Sequence, residues 1–244
     1  MRTFRLAASL LAIAMLAVML QPVAVSAEPA PRLPAFAAQL FADDFKHGLE
    51  QWHVEGERPG HISAGNGVLD IDVPAGATIW FRPQLQGRIA IQYDATAVRE
   101  GGANDRVSDV NCFWMAHNRD GRTPVFAQPR TGKFAEYNDL LTYYVGLGGN
   151  GNTTTRFRRY IGDPVVRPLL PEHDLSTPDI LLTANERQRI TLIADGEVIQ
   201  YWRDDRPLIR FTDREAYTQG WFALRTTQSH LRIERFRVYA LPGQ

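Results

Sequence analysis

The residues of this chain with the most chemical capacity are arginines, tyrosines and an asparagine that recur at every second position of three largely apolar stretches. Around Asn111, alternation puts Asp109, Asn111, Phe113 and Met115 on one face of an extended segment, and Val110, Cys112 and Trp114 on the other. In the next stretch Thr142, Tyr144 and Gly146 oppose Leu141, Tyr143 and Val145. In the third, Arg156, Arg158 and Tyr160 oppose Thr155, Phe157, Arg159 and Ile161. Should the three segments be neighbouring strands, Asn111, Tyr144, Arg156, Arg158 and Tyr160 share one surface. Arg225, opposite Phe222 and Leu224, and His230 just beyond it are expected to join them.

That combination of groups suits chemistry on a uronic acid. Arg and Asn bind and neutralise a carboxylate. Tyr or His then takes the proton from the carbon beside it, and Tyr protonates the leaving oxygen, which is a β-elimination. The candidates for catalysis are Tyr144, Tyr160, His230 and Arg158. Those for holding substrate are Asn111, Arg156, Arg225, Asp109 and Trp114. Simpler readings of the same residues stand beside this one. Tyrosines are common half-buried strand residues, and arginines on strands pair with acids across a sheet. A non-catalytic sugar-binding surface would instead use Trp80, Trp114 or Trp221 as a stacking platform. A glycoside hydrolase would need paired carboxylates, for which Asp70, Asp72, Asp109, Glu136 and Glu234 are available. No strand carries the Glu-x-Asp-x-x-Glu order of laminarinase-like hydrolases, which counts against a retaining enzyme of that kind.

Other chemistries are poorly served. The turn Gly148-Gly149-Asn150-Gly151-Asn152 is not followed by Lys-Ser/Thr, so it is no phosphate loop. His47, His53, His61, His117 and His173 are scattered without metal-ligand spacing. No cofactor is expected and no metal ligand is assigned; a structural calcium is compatible with the fold class, but no Asp-rich loop argues for it. Cys112, the single cysteine, lies in an apolar run and reads as core filler. A formal net charge of zero argues against nucleic acid as a partner.

The elements that must position these residues are strands. Val68 to Val73 alternates apolar and acidic residues, Arg88 to Ala95 alternates again, and Asn66-Gly67 is a hairpin turn. Arg189 to Ala194 and Glu197 to Arg203 form a second hairpin about Asp195-Gly196, while Gly220 to Thr226 and Leu231 to Leu241 close the domain as two strands. No segment holds a helical period; only Gly132 to Leu140 suits a short helix, and Pro164 to Pro178 reads as a long loop. Many short strands without βα alternation predict an all-β, two-sheet antiparallel jelly-roll sandwich with a concave groove, spanning 40–244.

Ahead of it, Arg2 and Arg5, the apolar run Leu6 to Leu20 and the site Val25-Ser26-Ala27 describe a secretory signal over 1–27. The run approaches membrane-spanning length, but Pro22 and the small residues at the site favour cleavage over an anchor. Residues 28–39 follow as an Ala/Pro-rich flexible leader. A periplasmic or secreted protein is expected, with a poly- or oligosaccharide as partner and no membrane association once the signal is removed.

Several motifs resemble a known group. They are Asp43-Asp44-Phe45 with Trp52, the run Asp105 to Met115, Tyr143 to Asn150, Asn152 to Tyr160, and Arg225-Thr226-Thr227-Gln228-Ser229-His230. Together these are similar to the YesU-like secreted proteins within the concanavalin A-like lectin/glucanase superfamily. The resemblance implies a jelly-roll sandwich and a role in breaking down plant or algal polysaccharides such as rhamnogalacturonan-type glycans. Lectins, hydrolases and lyases share that superfamily, so the resemblance alone does not choose a reaction.

Overall fold

The computed structural model describes residues 32–243; the expected signal, 1–27, and the start of the leader lie outside them. The described residues form fourteen strands, all paired antiparallel. They are β1 (Gln39–Asp43), β2 (Trp52–Gly56), β3 (His61–Gly65), β4 (Val68–Phe81), β5 (Leu85–Gln86), β6 (Ile89–Ala97) and β7 (Val110–His117). The remainder are β8 (Leu141–Gly148), β9 (Thr154–Ile161), β10 (Asp174–Leu175), β11 (Arg187–Asp195), β12 (Val198–Arg203), β13 (Arg206–Thr212) and β14 (Gln219–Ala240). The main order is β10-β9-β8-β7-β14-β6-β11-β12-β13, with β4 on β14 and with β2 and β3 on β4.

Two long strands let this sheet curl into the two layers of a sandwich. Along β4, Leu69, Ile71 and Val73 are buried while Asp70 and Asp72 are half-exposed, the period-two pattern of a strand with one wet face. After Pro74-Ala75-Gly76 every residue from Ala77 to Phe81 is buried, so this half is covered on both faces. β14 makes the matching transition. Its first part pairs with β7 and the second half of β4; beyond a register shift at Thr227/Ser229 it pairs with the first half of β4 and with β6. The two strands expected at the C-terminus are therefore one, bent where Gln228 takes a positive φ.

Between the layers lies the main core. Cys112, Trp114, Tyr143, Val145 and Phe157 of the β7-β8-β9 layer meet Ile91, Tyr93, Ile190, Leu192 and Tyr201 of the other. Burying each such aliphatic or Phe side chain contributes roughly 1.5–3 kcal/mol before the entropic cost of ordering the chain. Cys112 is fully enclosed, and burial pushes its thiol up to about 12, so it stays protonated filler. At the N-terminus, Asp43 accepts from the Phe45 amide at 2.7 Å and from Trp52 Nε1–H at 2.8 Å, fixing the turn that brings Trp52 into the core. The Asn66-Gly67 hairpin forms as expected, both residues having positive φ. The described part of the leader is docked: Phe36 stacks on Tyr239 at 4.7 Å, and Ala37 and Ala38 exchange backbone hydrogen bonds with Ala240.

The segment between β7 and β8, with 3-10 turns at Val125–Ala127 and Phe134–Tyr137, lies over part of the outer face of the first layer. The second turn falls where a short helix was expected. The stretch Pro164 to Pro178 is a loop broken by a 3-10 turn at Pro171–His173 and by β10, whose Asp174 pairs with Arg156.

Candidate functional site

Strand register on the outer face of the first layer places side chains in rows across the sheet. One row runs Glu55, Thr78, Arg225, Asn111, Gly146, Arg156 and Asp174 through β2, β4, β14, β7, β8, β9 and β10. The next runs His53, Trp80, Ala223, Phe113, Tyr144 and Arg158. The alternation expected for Asn111, Tyr144, Arg156 and Arg158 thus places them side by side, with Tyr160 one row on, opposite Thr142.

These residues line a pocket of about 410 Å³, inside the usual range for small-ligand sites. Its floor is Asn111, Gly146 and Tyr144. Gly146 keeps the floor open, because a Cβ there would stand 3.1 Å from the Tyr144 hydroxyl and 3.5 Å from Asn111 Oδ1. One wall is Arg156, Arg158 and Tyr160 of β9, another is Arg225 with Phe134, and Arg167 reaches in from the loop after β9. The lining also holds two carboxylates, the buried Asp109 beside Asn111 and the exposed Glu57.

The arginines differ in what holds them. Arg156 is already paired with Asp174, Nε to Oδ1 at 2.7 Å and Nη2 to Oδ2 at 3.1 Å. Arg158 donates Nη1–H to the Arg167 carbonyl at 2.5 Å and has no carboxylate within ion-pair range among the described residues. Arg225 is 3% exposed; Nη1 donates to Thr78 Oγ1 at 2.9 Å and to the Gly132 carbonyl at 2.6 Å, and its guanidinium lies 5.4 Å from the Phe134 and Tyr137 rings. Burial pushes the Arg158 and Arg225 pKa values down, the direction expected of cations that lack a close counter-ion.

Two polar atoms in the pocket are buried without a well-formed hydrogen bond: Asn111 Oδ1 and the Tyr160 hydroxyl, the latter close to the Arg167 guanidinium. Other buried polar atoms among the described residues also lack partners, the Tyr93 and Tyr201 hydroxyls in the core included, but these two belong to residues that line one pocket, where another group can reach them. Asn111 Nδ2–H donates to Asp109 Oδ1 at 3.2 Å, and Asp109 is itself held by Arg106 at 3.0 Å. Both phenols are pushed up, with different neighbours. Burial raises Tyr144 well above the ordinary value, with Tyr160 and Asp109 adding to it and Arg225 opposing. Burial also raises Tyr160, while Arg167, Arg158 and Arg225 all pull it down.

Two expected site residues are elsewhere. Trp114 is fully buried between the layers, against Tyr143 and Phe157, and cannot touch substrate. Trp80 and Trp221 are also buried, so none of the proposed stacking tryptophans is available as a platform. His230 lies past the bend in β14, outside the pocket lining, its ring nitrogens 2.8 Å from Asp70 and 2.9 Å from Asp105. Of the carboxylates considered for hydrolysis, Asp109 alone lines the pocket. Met115, expected on the Asn111 face, turns into the core at a register shift where its φ is 52°. Conversely, Arg167 sits in a loop and Glu57 between strands, where no periodicity singles them out. No group of three or more His, Cys, Asp or Glu side chains among the described residues is arranged to hold a metal.

Comparison with known proteins extends the picture. Residues 71–236 match the family described as "Domain of unknown function (DUF6250)". No curated protein matches the sequence. Among solved structures, a Bacillus subtilis protein of unknown function with a galectin-like fold aligns with TM-score 0.69 at 18% identity, over 87% of this chain and 100% of that one. LamA from Z. galactanivorans, in complex with laminaritriose and laminaritetraose, aligns with TM-score 0.55 at 12% identity, covering 84% and 100%. The VIP36 exoplasmic/lumenal domain, in a Ca2+/Man-bound form, aligns with TM-score 0.55 at 12% identity, covering 80% and 84%. At these identities the likeness is one of fold: a galectin-like, concanavalin-like jelly roll.

Proposed function

Since the chain belongs to the DUF6250 family, whose function is open, the pocket must supply the reading, and we propose that it binds an acidic carbohydrate and acts on it by β-elimination beside a uronate. The observation that carries this is the set Arg158, Arg167 and Arg225 around Asn111 Oδ1 and the Tyr160 hydroxyl, both buried without a well-formed hydrogen bond, with no carboxylate in ion-pair range of any of the three arginines among the described residues. A sugar carboxylate would supply the missing charge, with guanidinium and amide donors placed to neutralise it. Two neighbours of this fold carry sugars, which suits a glycan ligand by analogy.

In the reaction, the neutralised carboxylate acidifies the hydrogen on the adjacent carbon. Tyr160 takes that proton as phenolate, a form that burial disfavours and that Arg167, Arg158 and Arg225 partly restore. The C–H electron pair becomes the new C=C bond, and the bond to the leaving oxygen breaks. Tyr144, beside Asp109 and held neutral by burial, protonates that oxygen. Rhamnogalacturonan-type glycans, the substrates that the YesU-like resemblance implies, are the first to try, and a secreted or periplasmic site of action belongs to the same proposal.

The test is ultraviolet absorbance of the unsaturated uronate product across a panel of uronic-acid polysaccharides. We expect product from at least one, none from Tyr160→Phe, and binding retained in that variant. Binding without product in the native protein would replace the reaction with a sugar-binding module, a reading favoured by the upward push on both phenols. No binding to any uronate chain would overturn the site.

A further inference from the structure

Which part of a glycan such a pocket can receive follows from what closes it, and this inference rests on the acidic-carbohydrate reading above. The row that ends in Tyr144 and Arg158 begins with His53, Trp80, Ala223 and Phe113, and this beginning is filled. Phe126 stacks on His53 at 5.2 Å, Tyr137 packs on Trp80 and Phe113 at 6.2 and 5.7 Å, and Phe134 lies over Phe113 and Tyr144 at 6.4 and 5.4 Å. A sugar chain leaving the pocket along the row in that direction would meet these rings.

The covering segment is a wall, not a lid, because buried polar bonds fasten it to the sheet. Tyr137 donates its hydroxyl hydrogen to Glu55 Oε2 at 2.8 Å, and Trp80 Nε1–H donates to the same oxygen at 2.9 Å. Gly132 gives its carbonyl to Arg225 and sits against the Gly56-Glu57 backbone so tightly that a Cβ would fall 2.6 Å from Glu57 N. Within the segment, Arg130 donates to the carbonyls of Val125 and Glu136. Arg167 closes a further side, its guanidinium 5.7 Å from the Phe134 ring and its carbonyl bonded to Arg158.

We infer that the pocket receives the end of an acidic glycan chain and cannot take a chain passing through. The occupant is the uronate at the reducing end, with the rest of the chain attached through the departing oxygen and directed out of the mouth, away from Phe134. Action on polymer would then be exo.

Calorimetric titration of the native protein reads this directly, using uronate oligosaccharides of increasing length and their parent polymer. End capture gives one protein bound per chain at every length, with affinity levelling off after the first few sugars. Proteins per chain rising in proportion to length would overturn end capture while leaving the acidic-carbohydrate reading intact. Absence of binding at any length would overturn that reading and this inference with it. Arg130→Ala, which loosens the wall without touching the pocket lining, is expected to weaken the limit of one per chain on long polymer, while Arg130→Lys keeps it.

Discussion

The two ends of one sheet face make an instructive pair. The covered end draws on β2, β4, β14 and β7 and the open end on β14, β7, β8 and β9, and both bury polar groups, yet only one leaves them facing a pocket. Under the covering segment, Glu55 is 4% exposed; its Oε2 is met by donors from Trp80 and Tyr137, while its Oε1, 3.9 Å from His53 Nε2, has no hydrogen-bond partner. In the open end, Asn111 Oδ1 and the Tyr160 hydroxyl have no well-formed hydrogen bond, and Arg158 and Arg225 are half-buried or buried with no carboxylate in ion-pair range, although Glu57 and Asp109 lie near Arg225. Polar groups that the protein itself satisfies hold the fold together. Unsatisfied groups cost about 1–3 kcal/mol each in desolvation wherever they lie, at Glu55 Oε1 as at Asn111 Oδ1. What sets the open end apart is that its unsatisfied groups line a pocket, where a ligand would complete them.

The largest effect should come from the covered end. Trp80→Ala removes a fully buried ring and leaves the Glu55 carboxylate with one donor fewer, so a loss of about 3–5 kcal/mol in urea denaturation is expected. Binding, measured where the variant is still folded, should change little. A large loss of sugar affinity with unchanged stability would instead make Trp80 a ligand contact and erase the distinction between the two ends.

Next is Arg158→Ala in the open end, expected to do the reverse. Losing a partly buried cation that pairs with a ligand carboxylate costs about 2–4 kcal/mol of binding, or roughly 100-fold in affinity. Stability should fall by only about 1 kcal/mol, since the hydrogen bond to the Arg167 carbonyl is lost but no ion pair within the protein is. A smaller effect of the same kind follows from Gly146→Ala. Its methyl would stand 3.1 Å from the Tyr144 hydroxyl and intrude on the pocket floor, and about tenfold weaker binding is expected. Affinity unchanged by this substitution would mean that the ligand does not reach the floor.

Much of the open end was legible because strand alternation has a period of two, and that period held over Leu141–Gly148 and Thr154–Ile161. It failed where the strands break register. At Met115 an added residue turns the side chain from the expected face into the core. At Gln228 the bend carries the strand into the other layer, so His230 cannot share a surface with Arg225, five residues earlier, whatever its spacing suggests. Trp114 follows the alternation, which assigns it to the face opposite Asn111; its aromatic character had suggested a ligand contact that its position forbids. Arg167 and the covering segment were illegible for a different reason. Their places are set by tertiary contacts such as Phe134 on Phe113 and the Arg158–Arg167 bond, which leave no period in the chain.

His230 supplies the smallest and most specific test, because it separates a clasp from a catalyst. Its two ring nitrogens bridge Asp70 of β4 and Asp105 of the segment that leads to Asp109, so it ties that segment to the sheet. Burial alone would lower its pKa, but hydrogen bonds to Asp70 and Asp105, with the charges of Asp70 and Asp72, raise it above 6.5. A cation stabilised in the folded state contributes fully below the unfolded value, and that contribution disappears as pH rises through the folded one. The melting temperature of the native protein should therefore fall as pH climbs from about 6.5 through that raised value, and His230→Gln should flatten this slope. Asp105 sets the other limit. Backbone hydrogen bonds from Glu100 and Gly102, then His230, hold it at about 2, so its contribution is present above its ordinary value of 3.8 and is lost as pH falls toward 2. Turnover by His230→Gln near neutral pH should match the native protein. Loss of turnover with stability unchanged would return His230 to the reaction and would require the loop carrying Asp105 to release it toward the pocket.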